Sequence, residues 1–457
     1  MNQEDQSRME KIVSLCKRRG FVFPGSDIYG GLAGTFDYGP YGVGLRNSIK
    51  SLWWKKFVDG RDDMFGIDAA ILMNQNVWKA SGHVGGFNDP LVEDIKTKKR
   101  YRADHLLEEL GINPKGMSVE DMDTIIKEKK ILSPEKNPLG EVRQFNMMFA
   151  TKTGALDDES AVIYLRPETA QGMFVNFKNI LDTFHPKLPF GMAQIGKAFR
   201  NEIAPGNFIF RLREFEQMEI EYFVKPGEWK KSFDEFLALQ KDFLLNLGLP
   251  ESKIHQIEIA KEDRAHYSNW SVDTEFDFPI GQQELLGIAH RTDYDLRAHI
   301  EGSGQDLSYF DEETKERYIP HCVEPTFGFD RLMLAVLSSA YDEEEVNGEM
   351  RTVLRFKPSI APVQIAVLPL SKKEELTGPA EAIKKKLKKI ARVQYDETQS
   401  IGKRYRRQDE IGTPYCVTVD FDTLTDQAVT VRDRDTMEQE RVKIDELEEY
   451  FKEKLTV

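Results

Sequence analysis

A chain of 457 residues has room for about three domains, and its composition, 40% hydrophobic and 31% charged, is that of a globular enzyme rather than a disordered or fibrous chain. No apolar run is long enough to cross a bilayer. Met1–Arg8 is polar, without the apolar stretch of a secretory signal, so cytoplasmic residence is the expectation.

The net charge of −14 argues against indiscriminate nucleic-acid binding. It is unevenly spread. Residues 358–457 hold 18 Lys+Arg against 19 Asp+Glu, which leaves −13 on the rest and lets basic clusters in the tail meet an anionic partner. Cys16, Cys322 and Cys416 are far apart and form no CxxC pair, and the eight histidines show no HExxH spacing, so no disulfide framework and no zinc are expected.

In chain order, residues 8–19 read as a short helix, followed by the glycine-rich segment Gly25–Gly44, which lacks a P-loop pattern and suits turns or close backbone packing. A helix is predicted over Leu45–Phe57, with Trp53 and Trp54 in the core. Residues 66–95 read as strand, the loop Ser81–Pro90, then strand. Lys96 to about Asp158 is charged and helix-rich, with the look of an insertion. Its basic start, Lys96–Arg102, reads as a solvated helix end or a phosphate contact. Ala161–Leu165 alternates, Arg166-Pro-Glu-Thr-Ala-Gln-Gly172 follows, and a helix runs to about Leu181.

The segment 195–202 and the segment 211–223 read as two antiparallel strands joined by a Pro205-Gly206 loop. Alternation puts Arg200 with Glu202 on one face, and Arg213, Phe215, Gln217, Glu219 and Glu221 together. Such a face offers a guanidinium for phosphate, an aromatic plate for a base, and carboxylates for an ammonium, an amino group or a metal. An ordinary hairpin with cross-strand ion pairs is the bland alternative.

Residues 228–247 form an amphipathic helix, 270–296 read as strands, and Val323–Val336 reads as a turn entering an apolar helix. A boundary is predicted near Pro358–Pro362. Beyond it come a strand (363–368), a helix (373–390), a strand (393–395), a helix (401–411), strands at 415–420 and 427–432, and a helix at 444–455. That alternation describes a small α/β domain.

With these motifs in place, the chain resembles the class II aminoacyl-tRNA synthetases from about residue 8 to its end, and within them the homodimeric glycyl type. Ser81–Pro90 with its flanks resembles motif 1, Phe199-Arg-Asn-Glu202 through Glu221 resembles motif 2, and Phe327-Gly-Phe-Asp-Arg331 resembles motif 3. Arg166–Gly172 and Glu324–Gly328 narrow the match to the glycyl branch. The resemblance implies an α+β fold: an antiparallel sheet flanked by helices (1–95 and 159–357), the insertion (96–158), and an anticodon-binding domain (358–457). It implies glycine attached to tRNA(Gly) through a glycyl-adenylate, with ATP as substrate and Mg²⁺.

The site residues follow from the same resemblance. Arg200 and Arg331 are the catalytic arginines, holding the α- and γ-phosphates, and Arg211 reaches another phosphate. Glu202 meets the adenine amino group, Phe215 lies beneath adenine, and Glu284 holds the magnesium. Asn201, Phe210, Leu212, Arg213, Glu214, Leu285, Gly328, Phe329 and Asp330 complete the ATP set. Glycine is met by Glu168, Glu219 and Thr326, with Arg102, Phe215, Gln217, Arg291, Glu324 and Gly328 around them. Lys403, Arg404, Arg406, Arg407, Arg432 and Arg434 are the tRNA contacts. Because only larger amino acids need rejection, crowding suffices and no editing domain is expected. The other readings are a non-catalytic nucleic-acid-binding relative on the same scaffold, and class II chemistry on a different amino acid.

Overall fold

The computed structural model describes residues 3–154 and 161–455. Its centre is a seven-stranded sheet. Taken across, the strands are Ile254–Glu258, Trp270–Phe278, Gly281–Thr292, His321–Gly328, Glu214–Val224, Phe190–Phe199 and Met64–Gly66. Every pairing is antiparallel except the last, where Met64–Gly66 runs parallel to its neighbour at the sheet edge.

Helices cover one face. Trp229–Asn246 turns Phe233, Phe236, Phe243 and Leu244 inward at three- and four-residue spacing, and Phe329–Ala340 is buried almost all round, with Arg331 a partly exposed exception. Pro40 opens the helix Pro40–Trp54, where a missing N–H costs nothing. Gly42 is required there, since a Cβ would fall 2.0 Å from the carbonyl oxygen of Phe21. Trp53 is fully buried against Phe327, while Trp54 is only partly buried.

Some elements differ from the sequence reading. Residues 75–80 and 83–86 are short helices, the first capped by the Asn74 side chain, and strand begins only at Asn88. Asn88–Glu93 pairs with Arg100–Arg102 and Arg143–Asn146, so the insertion has its own three-stranded sheet around Val92, Leu107 and Ile126. The expected 95/96 boundary falls inside that unit, and the 158/159 boundary lies outside the described residues. Lys96–Arg102 is a hairpin rather than a helix end. Asp94 organises it by accepting from the backbone N–H groups of Lys96 and Thr97 and from Ser133 and Asn137.

The expected turn at 323–328 is a strand at the sheet centre. Pro325 is tolerated because bridges to Glu214–Val224 stop at Thr326 and resume at Val323, where its absent N–H would have been needed. In the tail, Ile365–Pro369 runs parallel to Val393–Tyr395 and Tyr415–Val419, then Ala428–Asp433 and Gln439–Lys443 add antiparallel strands. The last of these was unexpected. It is an edge strand with only Val442 buried, so it carries no alternation to read. The final helix correspondingly starts at Leu447.

Candidate active site

The open face of the central sheet holds a cavity of about 400 Å³. Its floor is set by register. Gln194, Glu219, Thr326 and Gly287 stand opposite one another on four adjacent strands. Gly287 contributes no side chain, which leaves that end of the row open. Phe215 and Gln217 share the face with Glu219, whereas Glu214 points away and pairs with Lys197 at 2.6 Å.

One end of the cavity is acidic. Glu219 Oε1 accepts from the Thr326 hydroxyl at 3.0 Å, and its other oxygen accepts from Thr169. Glu168 accepts from Gln171 at 3.0 Å and lies 3.3 Å from His83 Nε2. Glu324 accepts from Arg291 at 2.6 Å. Arg291, fully buried, also grips Asp295 with two bonds of 2.7 and 2.8 Å and lies 3.9 Å over the Tyr267 ring. Behind them one Glu221 oxygen accepts from the Cys322 thiol at 2.9 Å, and the other is buried with no hydrogen-bond partner.

The electrostatics follow from this crowding. Burial, reinforced by the Glu168 charge, raises the Glu219 carboxyl. Burial pushes Glu324 up to about 8 against the pull of Arg291. Glu221 is pushed well up by burial and by Glu324. Glu168 goes the other way: burial opposes its charge, but His83, Arg291 and Gln171 outweigh burial and hold it well below the usual carboxylate range. A pocket of this kind is short of positive charge, and a small cationic group relieves it.

The other end is cationic. Arg200 donates to the Pro167 carbonyl at 3.1 Å, and its guanidinium lies between the rings of Phe87 (5.4 Å) and Phe215 (5.3 Å). Arg331 bonds Glu284 at 3.0 Å and covers Phe210 at 4.4 Å. Arg211, Glu202, Leu212 and Leu285 line the same space, as do Gly328 and Asp330. Asp330 is buried and braces the sheet, accepting from the Glu216 N–H at 2.8 Å and from the Tyr38 hydroxyl. Near Glu284, Asp273 is pushed up to about 7 by burial and by the charges of Glu284 and Glu275, partly offset by Arg331. The arginines suit a polyphosphate, and the Asp273–Glu284 pair fits a divalent cation.

Several expected residues sit elsewhere. Arg102 belongs to the insertion, bound to Asp89 (2.8 Å) and Asp104 (2.6 Å), close enough to feel Glu202 but away from the acidic pocket. Phe329 is wholly in the core. Arg213 holds the Glu202 and Ala33 carbonyls and so fixes the loop. Asn201 donates its backbone N–H to Met147.

In the tail, three of the six expected tRNA contacts are corrected. Arg404, Arg432 and Arg434 are 1%, 6% and 3% exposed. Arg404 bonds the Pro369 carbonyl, Arg432 pairs with Asp409, and Arg434 bonds Asp435 and the Gly412 carbonyl. Each is a structural cation, buried and bonded inside the domain. Lys403 is exposed, Arg406 is half-buried 3.7 Å from Glu349, and Arg407 is held by Asp396. Near the ends of the parallel strands Phe421 stands 43% exposed with Lys373 at 5.0 Å from its ring. Its signal was a lone aromatic among turn residues after a buried strand. Thr169, Gln171 and Asp295 were also missed, although the first two lie inside the heptapeptide 166–172.

Residues 149–340 match the model described as tRNA synthetase class II core domain (G, H, P, S and T), and residues 364–454 match that of the anticodon binding domain. The fold resembles a prolyl-tRNA synthetase from Cryptosporidium parvum, with a TM-score of 0.67 and 15% identity over 97% of this chain and 75% of that one. The glycine–tRNA ligase of Caldanaerobacter subterraneus is 55% identical over 98% of both chains. That of Geobacillus kaustophilus is 57% identical over 98% of this chain and 99% of its own. The chain belongs to the glycine–tRNA ligase family of class II tRNA synthetases.

Proposed function

We propose that the protein activates glycine with ATP and transfers it to tRNA(Gly) through a glycyl-adenylate. The single observation that carries this is one cavity with a guanidinium end at Arg200 and Arg331 and an acidic end at Glu168, Glu219 and Glu324. A carboxylate nucleophile is ionised at neutral pH, with an ordinary pKa of about 4, so attack on phosphorus needs placement and charge neutralisation, not a general base. Glu168, Glu219 and the Thr326 hydroxyl hold the ammonium. Arg200 neutralises charge at the α-phosphate, Arg331 and Arg211 hold the outer phosphates, and Glu202 and Phe215 receive adenine. Glu284 and Asp273 would hold Mg²⁺, which supplies further neutralisation of the triphosphate. Larger amino acids are excluded by the Thr326 methyl and the packed carboxylates. The working form is a homodimer. ATP–pyrophosphate exchange across the twenty amino acids tests the reading: exchange with glycine alone is the expected result, and none in folded, magnesium-supplied protein would defeat it. Nucleic-acid affinity without ATP binding would select the non-catalytic alternative instead.

Glycine binding carries a pH signature. An ammonium stabilises the ionised form of Glu324, whose carboxyl is raised to about 8. Binding therefore expels a proton below that pH, and the glycine KM should fall as pH rises from about 6 to 8, by up to about tenfold per unit for one group. Glu324→Gln should flatten the slope in exchange assays.

For the tail, Phe421 and Lys403 are the contacts we assign to single-stranded anticodon bases, by stacking and by charge. Phe421→Ala should raise the KM for tRNA by about tenfold, from a stacking term of about 1–3 kcal/mol, with glycine-dependent exchange unchanged. Equal losses in both would remove the assignment.

A further inference from the structure

The short turn that leads from the central sheet into the insertion touches two residues that line the cavity, Glu168 and Arg200. At its start, His83 stands edge-on between Trp78 (ring centroids 5.5 Å) and Phe87 (5.6 Å), with Nε2 3.3 Å from Glu168 Oε2. The other ring nitrogen lies 2.8 Å from Ser81 Oγ, itself 3.4 Å from the Trp78 carbonyl. Glu168 is acceptor-only when ionised, so Nε2 must carry a proton. A neutral ring then takes the Ser81 hydrogen at Nδ1. A charged ring donates to Ser81, which passes its hydrogen to Trp78. The tautomer that serves Glu168 is therefore satisfied in either state. Glu168 has its other oxygen fixed by Gln171, so His83 completes the orientation of a carboxylate that would otherwise rotate. Ser81 is buried and aimed at the ring, which leaves it no nucleophilic role. At the end of the turn, Phe87 forms the outer plate of the Arg200 sandwich. The turn is tied down by Asn146, which donates to the Val84 carbonyl, and by the Met147 N–H on the Phe87 carbonyl.

We propose that His83 is a positioning residue for glycine, acting through Glu168, while Phe87 on the same turn braces Arg200. This rests on the function proposed above and extends it to two residues that the sequence reading gave no role in the site. The test is glycine and ATP kinetics in pyrophosphate exchange with wild-type, His83→Ala, His83→Gln and Phe87→Ala proteins, each checked by thermal melting. His83→Ala should raise the glycine KM by about tenfold, the worth of a hydrogen bond to a charged group, with the ATP KM unchanged. His83→Gln retains a donor and should recover most of the loss. Phe87→Ala should instead lower kcat and leave the glycine KM near wild type. If His83→Ala does not fold, His83→Phe fills the slot without a donor and takes its place. An unchanged glycine KM, equal effects on both substrates, or a His83→Gln protein as poor as the donor-less variant would overturn the proposal. Absence of exchange in the wild-type protein would instead strike the function itself.

Discussion

Arg200→Ala is expected to lower glycine-dependent ATP–pyrophosphate exchange by about 10²–10³, the range for removing one preorganised donor to developing charge. The affinity for tRNA should stay within about twofold of wild type, because the phosphate contacts that dominate nucleic-acid affinity lie elsewhere. The size of the effect comes from preorganisation. The guanidinium is held by the Pro167 carbonyl and two aromatic plates, so little reorganisation is needed when substrate arrives. Arg200→Lys should not rescue, since an ammonium is a point charge that neither forks around a phosphate nor stacks between rings. Exchange rates and tRNA filter binding, measured on the same preparations, separate the two quantities. Parallel loss in both would mean that Arg200 supports the fold and not the reaction.

Arg291→Leu should be the most damaging single change to stability. The guanidinium is buried and makes three bonds of 2.6–2.8 Å to Asp295 and Glu324. Leucine removes the cation and leaves both carboxylates buried beside Glu168 and Glu219, an imbalance worth about 3–5 kcal/mol. The melting temperature should fall by about 3–5 °C, since a chain of this length unfolds with an entropy of about 1 kcal/mol/K. The pH dependence gives the sign. Without Arg291 the folded-state carboxyl of Glu324, already raised by burial, loses the guanidinium that pulls it down and rises further above its unfolded value. The folded state then binds more protons, and stability falls as pH rises. The variant should therefore be least impaired in mild acid, below about pH 5, and worst near pH 8. Arg291→Lys should fall between, as one ammonium cannot span Asp295 and Glu324 together. A variant that melts like wild type at neutral pH would show that the carboxylates of the acidic pocket do not depend on Arg291 for neutralisation.

The catalytic face was readable because it depends on local periodicity. Two strands with alternating side chains fix which of Arg200, Phe215, Gln217 and Glu219 share a surface, whatever else the chain does. The roles of Arg404, Arg432 and Arg434 were not readable, because an arginine looks the same in sequence whether it faces solvent or spends its bonds indoors. What decides is a partner elsewhere in the chain: the Pro369 carbonyl for Arg404, Asp409 for Arg432 and the Gly412 carbonyl for Arg434. His83 was obscured for the same reason, its partner Glu168 being distant along the chain. Residues 75–80 read as strand and 83–86 as loop because both helices are one turn or so long, too short to show a 3.6-residue period. The insertion's strands were hidden by charge, since Arg100–Arg102 and Arg143–Asn146 sit at the rim of a three-stranded sheet and bury little.

The ribbon formed by Tyr341–Val346 and Glu349–Leu354 sends Arg351 into the tail, where it meets Asp409 at 2.8 Å and the Arg434 carbonyl, while the Phe356 ring sits so close to Gly412 that a Cβ would come within 2.4 Å. An excised C-terminal piece cut at residue 364 would thus lose half of a buried ion pair and expose an empty aromatic socket. The anticodon-binding domain is soldered to the strip that follows the Arg331 helix, so any tilt imposed there has a stiff mechanical route back toward Arg331.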